Sequence, residues 1–428
     1  MEKINVVISC PIDTYSGYGA RSRDVVKALL KTGKYDVKIL AQRWGNTRFG
    51  YLADHLEQEL SSLIIPQLTE QPEVWIQITV PNEFQPVGKY NIGMTAGIET
   101  TICDPSWIEG LNRMNLNLVS SKHAKATFEN SKFNVEKDGK VQGQIELQKP
   151  VEVLFEGADL EKYFKTDTMA NMEINLDLDS IKESFCFLFV GHWLQGDFGE
   201  DRKNVGYMIK AFLETFKNKK KQPALILKTQ SANASILDRD NILKKIDDIR
   251  KTVNGTLPNI YLLHGEMSDD EINELYNHDK VKAMISFTKG EGFGRPLLEF
   301  SLVNKPIIAS GWSGHVDFLN PEYSYLIEGQ LTKVHKSAAM KNMLLQEAEW
   351  FTPNDVAAGT ALRSVFDNYK KHTELAKRQG YKSRTEFSFD KMVEKLDEIL
   401  SSNLPEFPKQ VKLELPKLQL PKLQKING

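Results

Sequence analysis

The stretch from residue 283 to residue 318 constrains the fold of this chain more than any other part of the sequence. Residues 283–287 form an apolar run of strand length, and three glycines between Lys289 and Gly294 interrupt it. Pro296 suits the first turn of a helix, where a missing N–H costs nothing. A second extended segment and a second glycine-rich turn follow. This alternation of strand, turn, helix and strand predicts a parallel α/β sheet.

Two carboxylates bracket the glycine-rich turn. Glu291 lies where the strand ends, and Glu299 lies about one turn into the helix. In a parallel sheet this is the crevice in which ligands bind. Backbone N–H groups of Gly292, Phe293 and Gly294 can hold an anionic phosphate, whereas the carboxylates can accept hydrogen bonds from hydroxyls. The pattern favours a ligand with hydroxyls on both sides of its phosphates, such as a nucleotide-diphosphate-sugar.

At these residues the chain resembles the retaining GT-B glycosyltransferases of the family-4 type. Their E-x7-E signature reads here as Glu291, GFGRPLL and Glu299, followed by KPIIAS and GWSG. The resemblance implies a GT-B fold, with two Rossmann-like doubly wound α/β domains facing a cleft and a C-terminal helix crossing back. It also implies that Glu291 orients the donor sugar and that Glu299 holds the ribose. The alternative is a pair of solvated glutamates at a helix end.

A basic pair follows the first strand of the second predicted domain. Lys203 matches the family's diphosphate-binding lysine, and Arg202 substitutes for an arginine whose place His192 takes. Both cations are expected to stabilise the leaving diphosphate, although a surface Arg-Lys pair is the simpler alternative. Lys228, at a strand end, is a further candidate for the phosphate site. Gly314 is expected to present a backbone N–H on the crevice side, as the family's glycine pair does.

The candidate site residues of the first domain are two glycines and one carboxylate. The resemblance places Gly17 and Gly19 near the diphosphate and the acceptor, whereas an ordinary βα turn is the alternative. Ser22 replaces the third glycine of a dinucleotide fingerprint, which disfavours a nicotinamide dehydrogenase. The family often has a histidine on the acceptor side, but here Glu99 is the ionisable group at that strand end. Glu99 is therefore an acceptor-site candidate or a helix cap. His123 could also reach the crevice, although a surface position in the first turn of a helix is favoured.

The length of 428 residues predicts two domains. We expect a first Rossmann-like acceptor domain, a polar linker, a second Rossmann-like donor domain with helical patterns from Ala338 onward, a crossing helix and an extended tail. Their expected ranges are 1–164, 165–183, 184–385, 386–402 and 403–428. The tail contains LPKLQ twice in tandem, and its prolines disfavour a regular helix. It is a candidate for docking to a partner or to another copy of the chain.

Composition excludes several classes of protein. Apolar residues make up 41% and the formal net charge is −2, so the chain has no overall attraction for nucleic acid or anionic membrane. No apolar run reaches the roughly 18–20 residues that cross a bilayer. The three cysteines match no metal spacing, and free buried thiols at Cys10 and Cys186 fit a cytoplasmic protein. The D-x-D pairs at 177–179 and 238–240 are not expected to bind metal.

The expected activity is transfer of a hexosyl or pentosyl group to an acceptor hydroxyl with retention, without a metal or another cofactor. The sugar, the base and the acceptor (a glycan, lipid, protein or modified nucleic-acid base) stay open. Two alternatives also stay open: a non-catalytic nucleotide-sugar-binding or assembly module, and a GT-B nucleotide-sugar epimerase.

Overall fold

The computed structural model describes residues 3–137, 140–166, 178, 180–231 and 234–408. The D-x-D residues Asp177 and Asp179, most of the expected linker and the tandem repeat of the tail lie outside these ranges. Within them, no helix is both long enough and apolar enough to cross a bilayer. Cys10, Cys103 and Cys186 are buried free thiols, which confirms the prediction for Cys10 and Cys186.

The N-terminal half is built on a six-stranded parallel sheet in the order β2-β1-β3-β4-β5-β8. Its strands are β1 (Ile4–Cys10), β2 (Tyr35–Ala41), β3 (Val74–Ile78), β4 (Tyr90–Thr95), β5 (Leu116–Val119) and β8 (Val151–Val153). Two further strands, β6 (Phe133–Lys137) and β7 (Lys140–Ile145), form an antiparallel hairpin. The helices of this half are α1 (Gly17–Thr32), α2 (Tyr51–Asp54), α3 (Gln58–Ser62), α4 (Pro105–Asn112) and α5 (Lys122–Asn130).

The C-terminal half repeats this plan with the strand order β11-β10-β9-β12-β13-β14, all parallel. Its strands are β9 (Cys186–Val190), β10 (Ala224–Lys228), β11 (Ile260–Leu263), β12 (Val281–Ser286), β13 (Ile307–Ser310) and β14 (Tyr325–Ile327). Its helices are α6 (Val205–Phe216), α7 (Ile236–Lys251), α8 (Asp269–Asn277) and α9 (Arg295–Ser301). The chain reverses direction across the sheet between β9 and β12, and ligands of doubly wound folds bind at such switch points.

An antiparallel hairpin follows β14 and corrects the sequence prediction. Its strands are β15 (Gly329–Lys333) and β16 (Glu349–Pro353), and helices resume only with α10 (Asp355–Asp367) and α11 (Tyr369–Glu386). The predicted helical pattern from Ala338 onward was wrong for residues 338–354. Met340, Met343 and Leu344 have the spacing of one helix face. Met343 and Leu344 instead pack against the core of the N-terminal half.

The last helix, α12 (Phe389–Asn403), returns to the N-terminal half, as predicted. Met392, Leu396 and Ile399 are buried in the core that lies between the N-terminal sheet and α1. Lys31 pairs with Asp390 at 2.6 Å on the surface of this contact. Although α12 follows the C-terminal half along the chain, it therefore packs as part of the N-terminal half.

Candidate active site

A cleft of about 620 Å³ separates the carboxyl ends of the two sheets, and residues from both halves line it. Nine of the predicted site residues lie on its walls: Glu291, Lys203, Arg202, Glu99, Gly292, Phe293, Gly294, Gly17 and Lys228. Glu299, Gly19 and Gly314 are not among the wall residues in the part of the chain that the structure describes.

Glu291 meets the basic pair at the switch point. It follows β12, whereas Arg202 and Lys203 follow the neighbouring strand β9, so the sheet brings together residues that are 88 positions apart. Lys203 Nζ lies 2.5 Å from Glu291 Oε1, and Arg202 Nη1 lies 3.5 Å from Oε2. Burial alone would raise the pKa of the Glu291 carboxyl, but Lys203 and Arg202 outweigh burial and hold it below its ordinary value. Glu291 is therefore a carboxylate that accepts hydrogen bonds at neutral pH.

Arg202 also joins the two halves of the molecule. Its Nη1 atom lies 3.0 Å from Glu99 Oε1 and 3.2 Å from the carbonyl oxygen of Gly290. Glycine is needed at this contact, because a Cβ on Gly290 would lie 2.5 Å from the carbonyl oxygen of Glu99. Gly292 approaches Ala96 in the same way, with a Cβ position 2.8 Å from its carbonyl oxygen. Glu99 therefore faces Arg202 and the cleft from the N-terminal half.

Gly314 packs against the turn that contains Glu291, on the side of β13. Its N–H donates to the carbonyl oxygen of Glu291 at 2.9 Å, and a Cβ would lie 2.1 Å from the carbonyl oxygen of Gly292. The expectation that this N–H faces the crevice was wrong, because the turn itself takes up the donor. Ser313 Oγ likewise accepts the N–H of Glu291 at 2.8 Å. Both bonds fix the Glu291 turn from the side of β13.

Glu299 lies in a buried ionic cluster rather than on the cleft wall. Arg295 Nε donates to Glu299 Oε1 at 2.8 Å, and Arg295 Nη1 lies 2.5 Å from Asp24 Oδ2 and 3.8 Å from Glu156 Oε2. Burial raises the pKa of Glu299 to about 8, although Arg295 opposes this. Sequence reasoning missed Arg295, Asp24 and Glu156. The available signal was an arginine inside the glycine-rich motif, between Gly294 and Pro296.

The glycines after β1 have different positions. Gly17 begins α1 and lines the cleft. Gly19 packs away from it, because a Cβ there would lie 2.3 Å from the carbonyl oxygen of Thr14. Between them, Tyr18 lines the cleft and stacks on Trp44 with 4.0 Å between ring centroids.

The other basic candidates have local partners. Lys228 Nζ donates to the carbonyl oxygen of Gly265 at 2.6 Å, and burial lowers its pKa. His192 lies on the wall with Nδ1 3.1 Å from the carbonyl oxygen of Ser231. His123 packs edge-on against Trp312, and burial lowers its pKa to about 4. The sequence favoured a surface position for His123, and its side chain is half-buried against Trp312.

The fold is shared with several solved structures. HepE from Anabaena, in complex with UDP-glucose, has a TM-score of 0.62 and 13% identity, and the match covers 93% of this chain and 100% of that one. A glycosyltransferase from Rickettsia africae has a TM-score of 0.63 and 13% identity, with coverage of 94% and 99%. Sucrose-phosphate synthase from Thermosynechococcus elongatus has a TM-score of 0.60 and 10% identity, with coverage of 94% and 99%. No protein-family model and no curated protein sequence matches the chain. The two facing Rossmann-like domains of this chain therefore have the GT-B fold.

Proposed function

We propose that this protein is a metal-independent glycosyltransferase that moves a sugar from a nucleotide-diphosphate donor to an acceptor hydroxyl with retention of anomeric configuration. The observation that carries the proposal is the contact of Lys203 and Arg202 with Glu291 at the switch point of the C-terminal sheet. The GT-B fold and the UDP-glucose bound by HepE support it.

The basic pair serves the leaving group. As the glycosidic bond breaks, negative charge builds on the diphosphate, and stabilising that charge is the main electrostatic demand on the site. The side chain of Lys203 is 12% exposed and that of Arg202 is 25% exposed. Hydrogen bonds from such shielded cations to phosphate are each worth roughly 1.5–3 kcal/mol. The amides of Phe293 and Gly294 add neutral donors beside them.

The two glutamates of the signature hold the ends of the donor. Glu291, kept ionised by its cations, accepts hydrogen bonds from hydroxyls of the donor sugar. Glu299 is not a wall residue of the cleft, and holding the ribose is the role that the resemblance implies for it. Since Arg295, which does line the cleft, occupies Glu299 Oε1 through Nε, we assign the ribose hydroxyl to Oε2. Arg295 thus positions the glutamate that binds the nucleoside.

The carboxylates at the reaction centre are held by cations, which suits them to orienting substrates rather than to attacking the anomeric carbon. Glu99 contacts Arg202 at 3.0 Å and Glu291 contacts Lys203 at 2.5 Å. The acceptor therefore attacks on the face that the diphosphate leaves. Its proton passes to the departing phosphate oxygen, so one C–O bond forms, one breaks and the configuration is retained. Closure of the two halves through Arg202 excludes the water that would hydrolyse the donor.

The test begins with a panel of nucleotide-sugars, because a ligand at about 100 times its Kd adds roughly 2.7 kcal/mol of stability. The nucleotide-sugars that raise Tm are then incubated with the protein, while the release of nucleoside diphosphate and the sugar products are followed. Release of nucleoside diphosphate, with the unreacted nucleotide-sugar keeping its original sugar, supports transfer. Binding without release favours the non-catalytic module, and a new sugar still attached to its nucleotide favours the epimerase. The Glu291→Gln variant is expected to lose release by at least about tenfold, with Glu214→Gln, on the outer surface of α6, as the control.

A further inference from the structure

The loop between β15 and β16, residues 334–348 (the hairpin loop), reaches from the C-terminal half to the N-terminal half. Trp107 Nε1 donates to the carbonyl oxygen of Asn342 at 2.9 Å. At the base of the loop, the N–H of Thr101 donates to the carbonyl oxygen of Glu349 at 2.9 Å, and the N–H of Glu349 donates to Thr101 Oγ1 at 3.0 Å. The hairpin loop therefore closes one end of the cleft and is fixed to both halves.

The cleft side of this loop is apolar. The apolar wall consists of Ala338, Met340, Met343 and Leu344 of the hairpin loop together with Ile98 and Leu194. Ile98 directly precedes Glu99, whose carboxylate contacts Arg202. The apolar wall thus begins one residue from the group that we place beside the reacting sugar.

A nucleotide-sugar does not account for this surface. In the proposed pose its sugar, diphosphate and ribose match the cations, Glu291 and Glu299, and its base lies beyond the ribose, at the end of the donor opposite to the sugar, Glu99 and this wall. Resting on the proposed function, we infer that the acceptor carries its hydroxyl on a flexible alkyl body, and that this body lies against the apolar wall. The sequence left the acceptor open among glycan, lipid, protein and base.

The side chains of the apolar wall favour an alkyl chain over a planar ring. Methionine and leucine are aliphatic and adapt to irregular apolar shapes. Trp350 of β16, which also borders the cleft, is fully buried and offers no face for stacking. Met340 is 45% exposed and Leu194 is 38% exposed, so the apolar wall continues to the mouth of the cleft. A chain longer than the cleft can therefore extend outward along it.

Binding of two acceptor probes tests the inference without requiring the natural donor sugar. In the presence of UDP, the affinity for n-octyl β-D-glucopyranoside, kept below its micelle concentration, is compared with that for methyl β-D-glucopyranoside by calorimetry. We expect the octyl glycoside to bind at least tenfold more tightly, because burial of about two methylene groups already gives that factor. Equal affinities would overturn the inference.

A matched pair of variants locates the binding. Met340→Lys places a charge on the apolar wall and is expected to reduce octyl glycoside binding at least fivefold. Leu331→Lys places the same charge on β15, at a residue that is 43% exposed and is not a wall residue, and is expected to leave binding unchanged. Equal losses in both variants, or no loss in Met340→Lys, would also overturn the inference. Stabilisation by a panel of nucleoside diphosphates is measured in parallel, and the one that binds replaces UDP where UDP does not. The absence of stabilisation by every one refutes the proposed function, whereas intact nucleotide binding without an alkyl preference refutes only the acceptor assignment.

Discussion

Replacing Lys203 with methionine removes a charge from the transfer site while keeping most of the volume of the side chain. Lys203 Nζ lies 2.5 Å from Glu291 Oε1 in a largely buried setting. A hydrogen bond between charged groups contributes roughly 1.5–3 kcal/mol, so the loss of one to the diphosphate in the transition state lowers kcat/KM by roughly 10- to 150-fold. The assay is nucleoside diphosphate release from whichever nucleotide-sugar raises Tm. Lys221→Met, at an exposed lysine, is the control.

The same variant makes a prediction about pH. Since Lys203 and Arg202 hold the pKa of Glu291 below its ordinary value, the ionised carboxylate stabilises the fold above the ordinary carboxylate pKa. This stabilisation is lost as the pH falls through the folded-state pKa. The Tm deficit of Lys203→Met relative to wild type is therefore expected to be largest near neutral pH and to shrink toward about pH 4. A variant with wild-type kcat/KM and a Tm difference independent of pH would refute both the pairing and its role.

Three further perturbations have definite outcomes. Burial raises the pKa of Glu299 to about 8, so the folded state binds the carboxyl proton more tightly than the unfolded state and stability falls as the pH rises toward 8. Glu299→Gln is therefore expected to flatten the dependence of Tm on pH between pH 5 and 8 and to weaken donor binding. An unchanged Tm profile would contradict this. Gly290→Ala forces a Cβ against the opposing backbone of the N-terminal half and should cost about 1–3 kcal/mol of unfolding free energy, whereas Gly143→Ala, with open space around it, should cost less than a third of that. Leu396→Ala, fully buried in α12, should destabilise the protein by about 2–5 kcal/mol in urea unfolding, in contrast to Val356→Ala, which is 75% exposed.

The sequence predicts the parts of this molecule that depend on short-range patterns. The apolar run from Ile4 to Cys10 forms β1, and Ser268 and Glu271, at the spacing of a capping box, form that motif at the start of α8. The contact between Lys203 and Glu291 can also be predicted. Each residue comes after a strand of one parallel sheet, and the resemblance indicates which strands these are. Local order and one structural analogy were sufficient for these features.

Other features depend on how the two halves meet, and local patterns do not encode that. Arg295 and Asp24 are 271 positions apart and lie in different halves, so their contact follows only from domain closure. The hairpin loop has apolar residues at helical spacing, but its tertiary contacts with the N-terminal half override that preference. The N–H of Gly314 is bonded because two turns approach each other closely there. Glycines permit such close approaches at several places in the chain, so the presence of a glycine does not show at which of them two turns meet.

The position of α12 in the core of the N-terminal half has a consequence for biosynthesis. A ribosome adds α12 after both six-stranded sheets have been made, yet Met392 and Leu396 complete the packing around α1. While translation continues, the first domain exposes the apolar groove that this helix later fills, and the growing polypeptide depends on chaperones or on its own second domain to shield it. We expect the emergence of α12, rather than emergence of the first domain, to be the moment at which the N-terminal half becomes resistant to protease.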